Sequence, residues 1–145
     1  MRTTPRTWAT VDEVNKKLSD QPDVELRLPA ENAYVSVLRM TTAGLAARLD
    51  FTLDDIEDLR MAVGEACALV LDGADAEGQL RVGFELGAGS MRLTVSTDSA
   101  NGGGPNTDTF AWQVLTALAA DLEAGHEAGR KSISFSASTS VGAVS

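Results

Sequence analysis

Residues Leu53–Leu71, LDDIEDLRMAVGEACALVL, decide how the rest of the chain is read. Thr52 stands as an N-cap with Asp55 three residues later, and Asp54 adds a second carboxylate where the exposed N–H groups of a helix start favour negative charge. Asp72-Gly73 stops the segment. Ile56, Leu59, Val63, Ala66, Cys67 and Val70 recur at three- and four-residue spacing, which makes one apolar helical face. Met61, Ala62, Ala68 and Leu69 make the opposite side apolar as well, so the expectation is a helix wrapped nearly all round. Glu65 interrupts that second face, one turn after Met61 and one turn before Leu69. A carboxylate there must be protonated, paired or given access to water. Two readings are open: a functional cleft, or a rim position whose stem packs and whose head is solvated.

Composition narrows the function. A chain of 145 residues with 43% hydrophobic content makes one domain with a real core. Twenty-one acidic against 12 basic residues give a net charge of −9, which opposes a sequence-independent grip on nucleic acid or an anionic membrane surface and suits a basic protein partner. Cys67 is the sole cysteine and falls on the apolar face, as a small hydrophobe rather than a nucleophile; no intrachain disulfide is available. His126 is the sole histidine, so neither a zinc constellation nor a catalytic triad can be assembled. With no apolar leader and no run of membrane-spanning length, the expected location is the cytoplasm.

In chain order, residues 1–23 read as an extension, either a mobile tail or a short helix over 11–19 started by the Thr10/Glu13 spacing. Val24–Leu28 alternates as a half-buried strand closed by Pro29. Ala30–Leu49 reads as a helix with Val35, Leu38, Leu45, Ala46 and Leu49 inward and Asn32, Ser36, Arg39 and Ala43 along a mostly polar strip. Gln79–Leu86 and Met91–Val95 form a hairpin across Gly87-Ala88-Gly89. Thr97–Thr109 is irregular and Gly-rich, without the Lys-Ser/Thr or glycine spacing of a phosphate loop. Thr107 or Asp108 is placed to cap a helix carrying Phe110, Val114, Leu115 and Leu118 on its apolar side. Asp121–Glu127 is either a strand or an unwinding helix end. Lys131–Ser138 alternates as a strand with one wet face, and residues 139–145 read as a fraying tail. Residues 24–138 therefore form the domain, of α+β class: a two-layer sandwich, its mostly antiparallel sheet covered on one face by three helices.

This element order, with Glu65 on the second helix, resembles the histidine-kinase-like ATPase superfamily and its Bergerat fold. The stretches LDDIEDLRMAVGEACALVL and FAWQVLTALAADLEA are similar to actinobacterial anti-sigma-F factors within its serine-protein-kinase branch. The resemblance implies a homodimer that withholds an alternative sigma factor from RNA polymerase and is released by an anti-anti-sigma protein of the STAS type. It implies partner contacts on the first helix, where Arg39 matches an exposed family Arg and Asn32 and Ser36 lie alongside. The nucleotide motifs depart from the family. Glu65 keeps the position of the base, but Leu69 stands where the family places the magnesium-binding Asn, and leucine offers no oxygen ligand. Asp98 and Gly102 retain only part of the Asp-x-Gly-x-Gly motif that reads adenine. Thr107-Asp108-Thr109 replaces a Gly-x-Gly that meets phosphate. The expectation is an anti-sigma factor with weak or absent ATP and magnesium binding. The alternatives are an ATP-dependent serine kinase acting on an anti-anti-sigma factor through Glu65 and Asp98, or a sensor accepting another small ligand near Leu69.

Overall fold

The alternating strands and amphipathic helices assemble, in a computed structural model that describes residues 21–100 and 103–140, into one sheet and one helical layer. Strands β1 (Val24–Pro29), β2 (Gln79–Gly87), β3 (Ser90–Asp98), β4 (Ala120–Glu127) and β5 (Arg130–Ser138) lie in the order β1-β2-β3-β5-β4, every neighbouring pair antiparallel. Helices α1 (Val35–Arg48), α2 (Leu53–Leu71) and α3 (Phe110–Leu118) cover one face. The α+β sandwich expected from the sequence is the one observed. The short helix expected over 11–19, Gly102 and residues 141–145 lie outside the described residues.

The core lies between the layers. Leu80, Val82 and Phe84 of β2, Met91, Leu93 and Val95 of β3, and Ile133 and Phe135 of β5 meet Leu38 and Ala46 of α1, Val63, Ala66, Cys67 and Val70 of α2, and Leu115 of α3. Burial raises the Cys67 thiol to about 12, partly offset by the nearby Arg39 charge, so it packs as a hydrophobe and stays protonated. No described helix is long and apolar enough to cross a membrane.

Several local expectations are corrected. The first helix begins at Val35, not Ala30. Ala30 N–H is taken by the Gly78 carbonyl at 3.1 Å, which holds the chain extended after Pro29, and a 3-10 turn over Asn32–Tyr34 precedes the helix. Of the two readings open for Asp121–Glu127, the strand is the one observed, within β4. The third helix is capped by Thr109, whose hydroxyl accepts from Trp112 N–H at 3.2 Å, and not by Thr107 or Asp108. Phe110, expected inward, is 77% exposed, because at the first helical position its side chain lies outside the inter-layer space. The second helix is not wrapped all round: Met61 is 55% exposed and Ala68 is also exposed.

Thr139 and Ser140 are not a fraying end either. Thr52 and Asp55 form the expected reciprocal capping box at the start of α2. The same Asp55 carboxylate accepts from the N–H and the hydroxyl of Ser140, each at 3.0 Å, and so ties the end of β5 to the helix start. The Ser140 N–H is the main cause that lowers the Asp55 carboxyl from 3.8 to about 2; partial desolvation opposes it, and the Thr52 hydroxyl and N–H reinforce it. Because the folded value lies below the unfolded one, this stabilisation is complete above pH about 4 and drains as pH falls toward about 2. Asp55→Ala is expected to cost about 1–2 kcal/mol at neutral pH, and urea melts between pH 2 and 5 should lose part of their pH dependence. An unchanged acid limb would remove Asp55 from the clasp.

Candidate functional site: the α1–α2 surface and the degenerate nucleotide positions

The α1 sequence places its apolar residues toward α2 and the sheet, and this leaves Ser36, Val37 and Met40 outward; Val37 is 40% and Met40 72% exposed. Asn32 is exposed in the preceding turn. Arg39 does not simply project into solvent. Its guanidinium lies across α2 over Gly64, so closely that a Cβ at position 64 would sit 2.3 Å from Nη2 and 3.1 Å from Nε. Gly64 is thus the gap in α2 that seats this charge. Arg39 has no ion-pair partner among the described residues. A planar cation laid on a helix is a ready donor fork whose side-chain entropy is already partly spent. Sequence spacing placed Arg39 on the outer strip but gave no sign of the Gly64 seat. The glycine inside a strong helix pattern was the available signal.

The candidate nucleotide positions that are described lie on α2, at the end of β3 and just ahead of α3. Glu65 is half-buried in the middle of α2. One turn on, Leu69 is buried in the hydrophobic core, where it supplies no oxygen. Along β3 the parity is fixed by Met91, Leu93, Val95 and Thr97, all inward, so Asp98 falls on the side of Ser96 and Arg130, the helix-free side. Both its carboxylate oxygens are engaged: Oδ1 accepts from Arg130 Nη1 at 2.7 Å and Oδ2 from Gln79 N–H at 2.9 Å. Asp108 is exposed just ahead of α3, its N–H given to Asn106 Oδ1.

The inward groups at the end of β3 are consumed internally. Thr97 Oγ1 donates to the Val70 carbonyl at 2.6 Å, and Ser99 Oγ donates to the Gly73 carbonyl at 3.2 Å. Lys131 of β5 is buried, and its Nζ donates to the Asp72 carbonyl at the end of α2. That helix has no basic residue in its own last turn, so the sheet provides the cation that complements its negative end. The C-terminal end of α2 is therefore held by side chains rather than left free for a ligand. Among the described residues no three His, Cys, Asp or Glu side chains converge to hold a metal ion. A magnesium-chelated triphosphate needs oxygen ligands on the metal and free backbone N–H groups on the phosphates. Leu69 offers no such oxygen ligand.

The model of the histidine kinase-like ATPase domain matches residues 28–129. The chain belongs to the histidine kinase-like ATPase domain family. Serine-protein kinase RsbW of Halalkalibacterium halodurans is 42% identical over 78 residues, covering 52% of this chain and 48% of the relative. Serine-protein kinase RsbW of Bacillus thuringiensis is 34% identical over 80 residues, covering 54% and 50%. The chain spans about half the length of the curated relatives it matches. The solved structure of the RsbU and RsbW domains of a Mycobacterium tuberculosis protein superposes with a TM-score of 0.61 at 19% identity, covering 81% of this chain and 33% of that one; the likeness is one of fold. The matched stretch of this histidine kinase-like ATPase scaffold includes Glu65, Leu69, Thr107 and Asp108.

Proposed function

We propose that this chain is an anti-sigma factor, a homodimer acting in the cytoplasm, that sequesters an alternative, sigma-F-like sigma factor and is released by a STAS-type anti-anti-sigma protein. In this reading the nucleotide site has lost its chemistry and the scaffold persists as a binding surface. The observation that carries it is Leu69: the family's metal position is filled by a side chain committed to the core, while the family's partner-facing Arg is kept and seated. The sigma factor docks on α1, with Arg39 as the charged anchor and Asn32 and Ser36 as polar contacts, and the acidic surface steers a basic partner toward it. The β1 edge strand is the surface proposed for dimer pairing, since an edge offers unpaired backbone groups.

The test is co-purification from the native host with identification of the retained protein, followed by calorimetry with ATP and magnesium. Retention of a sigma factor with no magnesium-dependent heat is expected. Gly64→Ala gives a sharper check. It removes the seat of Arg39 while improving helix propensity by up to about 1 kcal/mol, so the melt should hold or rise as partner affinity falls. A melt and an affinity that both stay unchanged would disconnect Gly64 from binding.

A second reading, a serine kinase that phosphorylates an anti-anti-sigma factor, is favoured by the serine-protein kinase name of the RsbW relatives and by the half-buried Glu65. Phosphoryl transfer needs positioned phosphates and a metal that neutralises developing charge. Tight, magnesium-dependent ATP heat would favour this reading over the first.

A further inference from the structure

We propose that the hollow on the sheet face opposite the three described helices binds a small zwitterion of the basic amino-acid class, its carboxylate held by Arg81 beside the charge of Arg130 and its distal cationic nitrogen by Glu85 beside the already paired Glu25. This site is independent of the α1 surface and of the degenerate nucleotide positions. The hollow has a volume of about 400 Å³, and these four charged side chains line it together with Thr94 and Ser96. That volume falls within the range of roughly 300–1,000 Å³ typical of small-molecule sites.

The charges in it are arranged against each other. Arg27 and Arg81 are direct cross-strand partners between β1 and β2, a like-charge placement that opposes sheet pairing. Arg27 turns away to Glu25 at 3.3 Å, and Arg130 divides itself between Asp98 and the Ser96 hydroxyl. Burial, with the neighbouring Arg81 guanidinium next and Arg27 contributing less, pushes Arg130 below its ordinary value, while Asp98 opposes this. Arg81 is left with no ion-pair partner among the described residues, and its Nε is buried without an acceptor. A carboxylate entering here would meet the unpaired Arg81 guanidinium, with Arg130, whose terminal nitrogens are taken by Asp98 and Ser96, adding positive charge beside it.

The other end carries the opposite sign. Glu85 faces Arg92 across the ladder, but Arg92 is occupied by Glu123 at 2.6 Å and Ser136 at 2.9 Å, so Glu85 has no ion-pair partner among the described residues. Arg81 and Glu85 are four residues apart on one strand and so point to the same face, with α-carbons roughly 13 Å apart. That span is long for an amino acid with an apolar side chain. It suits one whose side chain ends in a second cationic nitrogen. An anion alone would leave Glu85 unanswered, and a cation alone would leave Arg81 so.

Calorimetry of L-lysine into the full chain tests this, with Arg81→Gln and Glu85→Gln as variants and with succinate, cadaverine and inorganic phosphate as single-sign probes. Saturable heat below about 10 mM lysine is expected, since a millimolar site is filled there. Each variant should weaken lysine at least about tenfold, the scale of one charge-assisted hydrogen bond, with its circular dichroism melt retained. Single-sign probes should bind more weakly than lysine. No lysine heat in the wild type, lysine binding indifferent to both substitutions, or phosphate binding as tightly as lysine and indifferent to Glu85→Gln would each overturn the proposal.

Discussion

Arg39→Glu is expected to reduce affinity for the proposed sigma-factor partner by about a hundredfold, close to 2.7 kcal/mol, with little change in the thermal melt. The magnitude follows from what the substitution does at an interface. It removes a preseated guanidinium fork and places a like charge where an acceptor would dock, and loss of one partner of a desolvated charge pair typically costs about 2–5 kcal/mol. The fold tolerates the change because Arg39 has no ion pair to lose among the described residues and its guanidinium rests on Gly64 rather than in the core. Surface plasmon resonance with the co-purified sigma factor reads the first effect and circular dichroism the second. Arg39→Lys separates charge from shape: an ammonium cannot reproduce the planar fork, so partial loss is expected. Full affinity in Arg39→Glu would take this residue out of the interface.

The second large effect is on stability. Lys131→Glu is expected to destabilise the fold by more than about 4 kcal/mol, enough to unfold a domain of ordinary stability. Lys131 is 3% exposed and donates to the Asp72 carbonyl at the C-terminal end of α2, where the macrodipole is negative. A carboxylate at that place would face a carbonyl, in surroundings too dry to solvate it. Lys131→Met keeps the aliphatic stem and loses only the donor, so a smaller cost of about 1–2 kcal/mol is expected. The urea midpoints of the two variants against the wild type decide the matter. A Lys131→Glu protein that melts like the wild type would show that the ammonium is not required under α2.

Both effects rest on features the sequence presents unevenly. The strands and the central helix are legible because each carries its period openly: Leu80, Val82 and Phe84 alternate, and Thr52 with Asp55 announces the capping box. Lys131 is in phase with the inward Ile133 and Phe135, so strand parity alone points it to the core. Its acceptor, 59 residues away at Asp72, is set by the packing of α2 on β5. Asp98 is harder. A motif match aligns it with a nucleotide-reading carboxylate, but the β3 register turns it to the helix-free face, and Arg130 and Gln79 occupy it. Phe110 and Met61 show the converse failure, since apolar identity says nothing about whether another layer lies above the residue.

By itself the sequence determined the family scaffold and the order of its elements, because these depend on local periodicity and on residue chemistry at fixed spacing. Only the tertiary structure decided that Gly64 seats Arg39, that Lys131 holds the end of α2, and that Arg27, Arg81 and Arg130 crowd one side of the sheet. Those juxtapositions join residues distant along the chain, and no local pattern encodes the register and layer packing that bring them together.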